Sequence, residues 1–303
     1  MKFLITGSCG LVGSHLVAAL SRSHEVVGTD RHPWWGDRPA TGIHGDLRAP
    51  GFVTDVMASV MPDVVIHCAA MVSVDACEEA PALAYVNNAD VTRSIARAAP
   101  PGSLVVYVTT DGIFKGDSPF ATEAQPPCPR TVYGRSKLHG EWEVQQATDN
   151  HLIVRTNFFG WSSGLKQTSA EWLYHALKTG EEITLFDDFF FTPIYVVHFV
   201  ERLQRFIDGG HRGVFHLCGE ERVSKYEFGM WMAEVAGFST ANLRRGSIEK
   251  APLKAPRPRD MSLSCERYRG LVGGDVTSCR EGLRCFIVDH GRPLSARFEA
   301  EAP

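Results

Sequence analysis

Tyr133 and Lys137 stand four residues apart in Tyr133-Gly134-Arg135-Ser136-Lys137. On a helix that spacing sets both side chains on one face, so an ammonium can lie beside a phenol. A free phenol ionises near pH ~10, and cations nearby, Lys137 and an oxidised nicotinamide ring, favour the phenolate and draw the value toward working pH. Tyr133 is then expected to act as a general acid, giving its proton to a developing alkoxide as a ketone is reduced. Thr110, in Thr109-Thr110-Asp111, would help hold that oxygen. Lys137 has a second expected task, a hydrogen bond to a nicotinamide ribose. A Tyr-x-x-x-Lys pair alone is common on helices. Here it follows a glycine turn and a strand-end threonine in chain order, and the three together point to chemistry.

The glycine turn is Gly7-Ser8-Cys9-Gly10-Leu11-Val12-Gly13, between an apolar run and a helical pattern. Glycines let the backbone turn sharply and approach a pyrophosphate, and the helix start offers free N–H groups and partial positive charge. Gly7, Cys9, Gly10, Leu11, Val12 and Gly13 are therefore candidate cofactor contacts. Asp30 closes the second strand, where a carboxylate can accept from both hydroxyls of an adenosine ribose. Its neighbour Arg31 could instead hold a 2′-phosphate. Asp30 favours NAD(H) and Arg31 favours NADP(H), which leaves the choice of nicotinamide cofactor open.

These residues need a sheet to position them. Short β-branched runs at Lys2 to Thr6, Glu25 to Asp30, Gly42 to Asp46, Asp63 to Cys68, Leu104 to Thr109 and Leu152 to Arg155 predict strands. Helical spacing at Leu11 to Ser21, Val53 to Val60, Ala82 to Ala99 and Tyr133 to Ala147 fills the intervals. The alternation predicts an α/β fold, a Rossmann-like doubly wound parallel sheet. Beyond Arg155, helices near Ala170 to Lys178, Val196 to Ile207 and Lys225 to Ala236 and a strand at Val214 to Cys218 read as a smaller α+β part. The expected division is a dinucleotide-binding domain over 1–155, with a returning segment near 194–218, and a substrate-binding part over 156–193 and 219–303. The proline-rich, basic stretch Ala251 to Arg259 predicts a surface loop, and Ala296 to Pro303 a frayed tail.

Composition narrows the rest. With 303 residues, 44% of them hydrophobic, the chain can bury a large core. A net charge of -4 supplies no basic field, so nucleic acid is not an expected partner. No transmembrane segment or signal peptide is read, which places the protein in the cytoplasm and away from membranes. Eight scattered cysteines without a CxxC pair are expected to stay thiols, and no histidine or cysteine cluster has metal-ligand spacing. A small molecule is the expected partner, and a homodimer stays open.

The residues resemble a known family, the extended short-chain dehydrogenases/reductases, and among them the dTDP-4-dehydrorhamnose reductases. The similar segments cover nearly the whole chain: TGSCGLVGSHL, GDL at Gly45 to Leu47, PDVVIHCAA at Pro62 to Ala70, VDACEEAPALAYVNNADVTRSIA at Val74 to Ala96, VTTDGIFKG at Val108 to Gly116 and VYGRSKLHGE at Val132 to Glu141. Further on come VRTNFFG at Val154 to Gly160, GVFHLCGEERVSKYEFG at Gly213 to Gly229 and RPRDMSL at Arg257 to Leu263. The resemblance implies NAD(P)H-dependent reduction of a 4-keto group on a nucleotide-linked deoxysugar. It sets Asp46 and Leu47 against the adenine, puts Cys68, Ala69, Ala70 and Thr109 in the cofactor site, and makes Thr110, Tyr133 and Lys137 the catalytic triad. Asn88 matches the asparagine of the fourth helix, as a proton relay or as a packing residue at a helix bend. Met71, Asp111, Asn157, Phe158 and Arg257 fall on the substrate side, Arg257 as a candidate for a pyrophosphate.

Asp111-Gly112 stands where sugar 4,6-dehydratases carry Asp-Glu, and without that glutamate the acid/base loss of water is disfavoured. Departures from the reductase pattern lie at Asn157-Phe158, in place of Ser-Trp, and at Asp187 to Pro193, where Phe189, Phe190 and Phe191 replace a glycine-containing stretch. Two other functions share the same residues. One is a nucleotide-sugar 4-epimerase. The other is a non-catalytic cofactor-binding subunit, since the methionine adenosyltransferase β subunit is similar to this family.

Overall fold

The computed structural model describes residues 1–33, 40–272 and 277–299. Six parallel strands come first: β1 (Lys2–Thr6), β2 (Glu25–Asp30), β3 (Thr41–His44), β4 (Val64–His67), β5 (Leu104–Thr110) and β6 (His151–Thr156). A seventh, Gly213–His216, adds in parallel to the β6 edge, and the order runs inward from it as β6-β5-β4-β1-β2-β3. Strand order reverses at β1, between β2 and β4. In an open α/β sheet the crevice beyond the carboxyl ends of the strands at such a reversal receives the ligand.

Nine helices carry the argument: α1 (Leu11–Leu20), α2 (Phe52–Val60), α3 (Val74–Glu79), α4 (Pro81–Tyr85), α5 (Val91–Ala98), α6 (Val132–Ala147), α7 (Ser169–Thr179), α8 (Val196–Asp208) and α9 (Lys225–Ala236). Both sheet faces are covered, which is why the central strands read as unbroken apolar runs; β5 is buried at every position. Successive β1 side chains go to opposite sides. Phe3 and Ile5 join α1 and α8 in the larger core, while Leu4 packs with α2 and α5 in a second. The segment after β6 thus returns to the sheet twice, as α8 over its face and as Gly213–His216 at its edge. The rest of the chain is helices tied by two-stranded pairs, among them Phe190–Phe191 antiparallel to Val223–Ser224.

Two regions differ from the spacing-based expectation. Ala82 to Ala99 is not one helix: α4 passes through a π-turn at Val86–Asp90 before α5. The turn sets Asn88 so that its carbonyl accepts the Thr92 hydroxyl at 2.8 Å and the Tyr107 hydroxyl at 3.1 Å. Such turns gather at functional sites, where one added residue re-aims the chain. At the other end, polar composition predicts fraying from Ala296 onward, yet Leu294–Phe298 forms a 3-10 turn. Phe298 packs on the core, and Arg297 donates to the Trp161 carbonyl at 3.3 Å. A tail is ordered by partners its own sequence does not show; residues 300–303 lie outside the described chain.

α6 is fastened to β6 by a buried ion pair, Arg155 Nη2 to Glu141 Oε2 at 2.7 Å. Removing one member leaves the other charge desolvated without compensation. Glu141→Gln is expected to lower unfolding stability by about 3–5 kcal/mol, read as a lower urea midpoint with an unchanged slope.

Candidate active site

At the cofactor end, β1 runs straight into the glycine turn. Gly7 has φ +67°, and a Cβ there would lie 2.7 Å from the Ala69 backbone nitrogen beyond β4. At Gly13 a Cβ would meet the Gly7 carbonyl oxygen at 2.1 Å. Only glycines let the loop fold this tightly between β1, β4 and α1. The N-cap of α1 is Gly10, which offers no side-chain acceptor, so the first N–H groups at Leu11, Val12 and Gly13 are left for an external anion. This open helix start beside a side-chain-free cradle fits the pyrophosphate of a dinucleotide.

Asp30 holds the loop itself. One carboxylate oxygen accepts the Cys9 N–H at 3.0 Å and the other the His32 N–H at 2.9 Å. Arg31 makes no side-chain hydrogen bond among the described residues. Asp46 is turned onto Arg48, whose guanidinium reaches both oxygens; that contact, with a smaller pull from Arg31, holds the carboxyl down at about 2. Leu47 packs on the second core. Cys68, Ala69 and Ala70 follow β4 as a half-buried strip, and burial pushes the Cys68 thiol up to about 12. Ser163, absent from the sequence-based set, donates to the Cys9 carbonyl at 2.5 Å and joins the second half of the chain to the loop.

The chemical end is built from β5 and α6. Thr110 ends β5, and its hydroxyl accepts the Gly112 N–H at 3.0 Å, capping a short turn. The first turn of α6 lies against that turn: a Cβ on Gly134 would sit 2.1 Å from the Gly112 carbonyl. A Cβ on Gly112 would be 3.3 Å from the Thr110 hydroxyl and 3.7 Å from the Tyr133 ring, so the two predicted catalytic hydroxyl residues share one spot. Thr109 is buried on the same strand.

Lys137 departs from the sequence-based picture. Its Nζ donates to the Val108 carbonyl at 3.0 Å and lies 4.1 Å from the Tyr107 ring centroid. Burial lowers it to about 7, with Glu141 pulling it back up. The phenol is not made more acidic. Burial pushes Tyr133 above its usual value, Thr110 opposes by hydrogen bonding, and Asp111 and Cys77 add to the rise. The Lys137 ammonium is turned to the Val108 carbonyl and does not figure among the influences on the phenol.

Asn88 is wholly buried, and its side chain fixes other parts. Oδ1 accepts from Met71 N at 2.8 Å, while Nδ2 donates to the Met71 carbonyl at 3.1 Å and to Ser136 Oγ at 2.9 Å. It ties the strip after β4 to α6. His67 extends the network, bonded to Thr6 at 2.6 Å and Thr92 at 3.0 Å; burial lowers it to about 3, so the ring is neutral at working pH.

On the substrate side, Asp111 is buried next to Thr110 and accepts from Asn157 Nδ2 at 2.6 Å. Phe158 is half-buried against Phe199, ring centroids 5.7 Å apart. The three phenylalanines divide: Phe191 is core, Phe189 packs on it, and Phe190 lies under Arg222, whose guanidinium is 3.5 Å from the ring centroid. Phe190, Arg222, Arg130, Arg257 and Arg259 line a cavity of about 760 Å³ that Thr110, Tyr133 and Lys137 do not line. The loop Ala251 to Arg259 forms one wall and is pinned to α3 by Arg257 and the Ala255 N–H, both on Asp75 Oδ1. Lys225 projects over Phe191, 3.4 Å from its centroid. The Ser224-x-x-Glu227 capping pattern marks it as the first residue of α9, but its neighbours come from the strand pairing, which sequence spacing does not reveal. Among the described residues no three His, Cys, Asp or Glu gather as metal ligands, and no helix is long and apolar enough to cross a membrane.

Comparison with known proteins agrees with this architecture. A dTDP-4-dehydrorhamnose reductase of Mycobacterium tuberculosis is 30% identical over 88% of this chain and 86% of that protein. The methionine adenosyltransferase 2 subunit beta of Xenopus tropicalis is 29% identical over 95% of this chain and 89% of that protein. A crystal structure of dTDP-4-dehydrorhamnose reductase from Bacillus anthracis in complex with NADP superposes with a TM-score of 0.86 at 27% identity, covering 95% of this chain and 99% of that one. The family model described as the RmlD substrate binding domain matches residues 1–291. The chain therefore belongs to that family, within the extended short-chain dehydrogenases/reductases, a class of NAD(P)-dependent oxidoreductases.

Proposed function

We propose that the protein reduces a 4-keto group on a nucleotide-linked deoxysugar to an alcohol. The observation that carries this reading is the meeting of Tyr133 and Thr110 at the carboxyl end of β5, on a sheet whose first loop is a side-chain-free phosphate cradle. A bound nicotinamide dinucleotide would supply the hydride. The chain's own residues do the rest. Gly7, Gly10 and the start of α1 receive the pyrophosphate; Thr110 and Tyr133 meet the carbonyl oxygen; Tyr133, protonated at working pH because its pKa is raised, gives the alkoxide its proton. Lys137, anchored on the Val108 carbonyl, serves the ribose side, and Asn88 holds the walls in register.

Either cofactor fits, and we favour NADP(H). Both oxygens of Asp30 already accept backbone N–H groups, whereas the Arg31 guanidinium makes no hydrogen bond among the described residues and could pair with a 2′-phosphate. The nucleotide end of the substrate is assigned to the cavity beside Arg130, Arg222, Arg257 and Phe190, where guanidinium groups can pair with a pyrophosphate and an aromatic ring can stack. The substrate-binding part is then 156–193 with 219–303, closing over the dinucleotide-binding half. Eight cysteines outside any disulfide suit the reducing cytoplasm. A homodimer would have apolar surface at Tyr85, His139 and the exposed Trp142, which stand in edge contact on α4 and α6. The similarity to the methionine adenosyltransferase subunit keeps a second reading, a cofactor-binding regulatory chain.

Incubating the protein with nucleotide-linked 4-keto sugars and NADPH or NADH should give stoichiometric loss of nicotinamide absorbance, faster with NADPH. Oxidation of neither, together with tight dinucleotide binding, would select the regulatory reading; interconversion of sugars without net cofactor use would select an epimerase. Tyr133→Phe is expected to reduce kcat by roughly 10²–10⁴-fold while dinucleotide affinity stays within a few-fold. Gly13→Ala pushes a methyl into the Gly7 carbonyl, and it should weaken dinucleotide binding at least tenfold by calorimetry while far-ultraviolet circular dichroism is kept.

A further inference from the structure

The Thr110 hydroxyl has one proton to donate and two lone pairs with which to accept. One lone pair takes the Gly112 N–H at 3.0 Å, Asp111 Oδ1 lies at 2.9 Å, and the Tyr133 hydroxyl is the third neighbour, the one beside which a carbonyl oxygen would bind. What remains for a substrate depends on which of the threonine and aspartate oxygens supplies the proton between them. An ionised carboxylate has none, so the threonine must donate to it and can then only accept. A carboxyl protonated at Oδ1 donates to the threonine instead. Both lone pairs are then filled, and the threonine proton is free to meet a carbonyl oxygen.

Asp111 is placed for such an exchange. It is 5% exposed, and its second oxygen is held by Asn157 Nδ2 at 2.6 Å. Burial raises its pKa to about 6, against hydrogen bonds from Asn157 and Thr110 and the charge of Lys225. Thr110 at the end of β5 and Asn157 after β6 are bonded to it, the Gly112 N–H adds to them, and its charge is felt by Tyr133 from α6 and by Lys225 from α9, whose ammonium lies over Phe191. Lys225 is fixed as the first residue of α9 by the Ser224–Glu227 capping box. Its ammonium has no hydrogen-bond acceptor among the described residues. Burial lowers it to about 8, and the largest opposing influence is the Asp111 charge. The site thus holds a carboxyl that can keep or lose a proton and one cation that favours its loss.

We propose that Asp111 and Lys225 together decide whether Thr110 can hold the substrate's carbonyl oxygen, Asp111 through the proton in its bond to the threonine and Lys225 by drawing that carboxyl toward its ionised form. Both are positioning residues, since they act through Thr110. No proton is consumed by the arrangement: the carboxyl keeps its own, the threonine keeps its own, and the alkoxide takes the one from Tyr133. The inference rests on the reading of the protein as a ketone reductase.

The test measures kcat/KM for keto-sugar reduction from pH 5 to 9 in the wild type, Asp111→Asn, Lys225→Met and Lys225→Arg, beside substrate-free NMR titration of protein labelled at the aspartate carboxyl carbon. Lys137 adds its own limb to every profile, so the differences between variants carry the result. The wild type should lose at least tenfold in kcat/KM between pH 5 and 8. Lys225→Met should move that fall upward by about one pH unit, and Lys225→Arg should restore it. Asp111→Asn, whose amide donates to the threonine at every pH with its oxygen toward Asn157, should lack the fall and exceed the wild type at pH 8. The carboxyl signal missing from Asp111→Asn should titrate near pH ~6 in the wild type and higher in Lys225→Met. Superposable wild-type and Lys225→Met profiles would overturn the proposal, as would an Asp111→Asn protein that binds dinucleotide yet is inactive throughout. Should Asp111→Asn not fold, the lysine variants decide. A wild type that reduces no ketone removes the reductase reading separately; the carboxyl titration then decides the pair, supported by a midpoint that rises in Lys225→Met and overturned by one that does not move.

Discussion

The chemical end of this protein depends on a backbone contact between the first turn of α6 and the turn that follows β5. A methyl at Gly134 would overlap the Gly112 carbonyl at 2.1 Å. That approach carries the Tyr133 phenol to Thr110, and no side-chain interaction could replace it, because backbone atoms do not yield as the end of a flexible side chain does. The cofactor end repeats the device, with Gly13 against the Gly7 carbonyl. In both places a missing side chain brings two elements closer than side-chain packing allows. In the proposed function the gap thus made takes a phosphate at one end and a carbonyl at the other.

Holding the walls of that gap requires polar groups where water does not reach. Asn88, His67, Thr92 and Tyr107 form one hydrogen-bonded network, and Lys137 and the Glu141–Arg155 pair extend the buried polar belt along α6. Groups of this kind destabilise when single and rigidify when every partner is present. The π-turn belongs to the same arrangement, since it puts the Asn88 carbonyl where two hydroxyls reach it while the side chain reaches Met71 and Ser136. The chemistry of α6 is therefore positioned from β4, β5 and α5 together.

Much of the frame was readable from residues. The βαβ rhythm predicts each of the six strands within about two residues, because parallel strands buried on both faces must be apolar throughout. The glycine turn and the Tyr133–Lys137 spacing locate both ends of the site. Three things were not readable. The π-turn at Asn88 keeps helical spacing on either side, so periodicity alone runs through it. Ser163 and Lys225 reach the site through pairings between segments far apart in sequence, Lys225 by way of Val223–Ser224 beside Phe190–Phe191. The acidity of Tyr133 was misjudged in direction, since i,i+4 spacing shows that two side chains share a face but not that one is turned to a backbone carbonyl.

That reversal bears on how the acid works. A phenol pushed up by burial is fully protonated at neutral pH, which suits a donor to an alkoxide. What it loses is acid strength, and the pieces around it compensate in different ways. In the proposed reduction a second hydrogen bond to the developing oxyanion, from Thr110 when the Asp111 carboxyl keeps its proton, would lower the charge that the phenol alone would have to neutralise. Lys137, lowered to about 7 by burial, is bonded to the Val108 carbonyl and is not among the groups that move the phenol. On the proposed reading the burden of stabilising the oxyanion then shifts toward Thr110, and the state of the carboxyl beside that threonine becomes the quantity on which the balance turns.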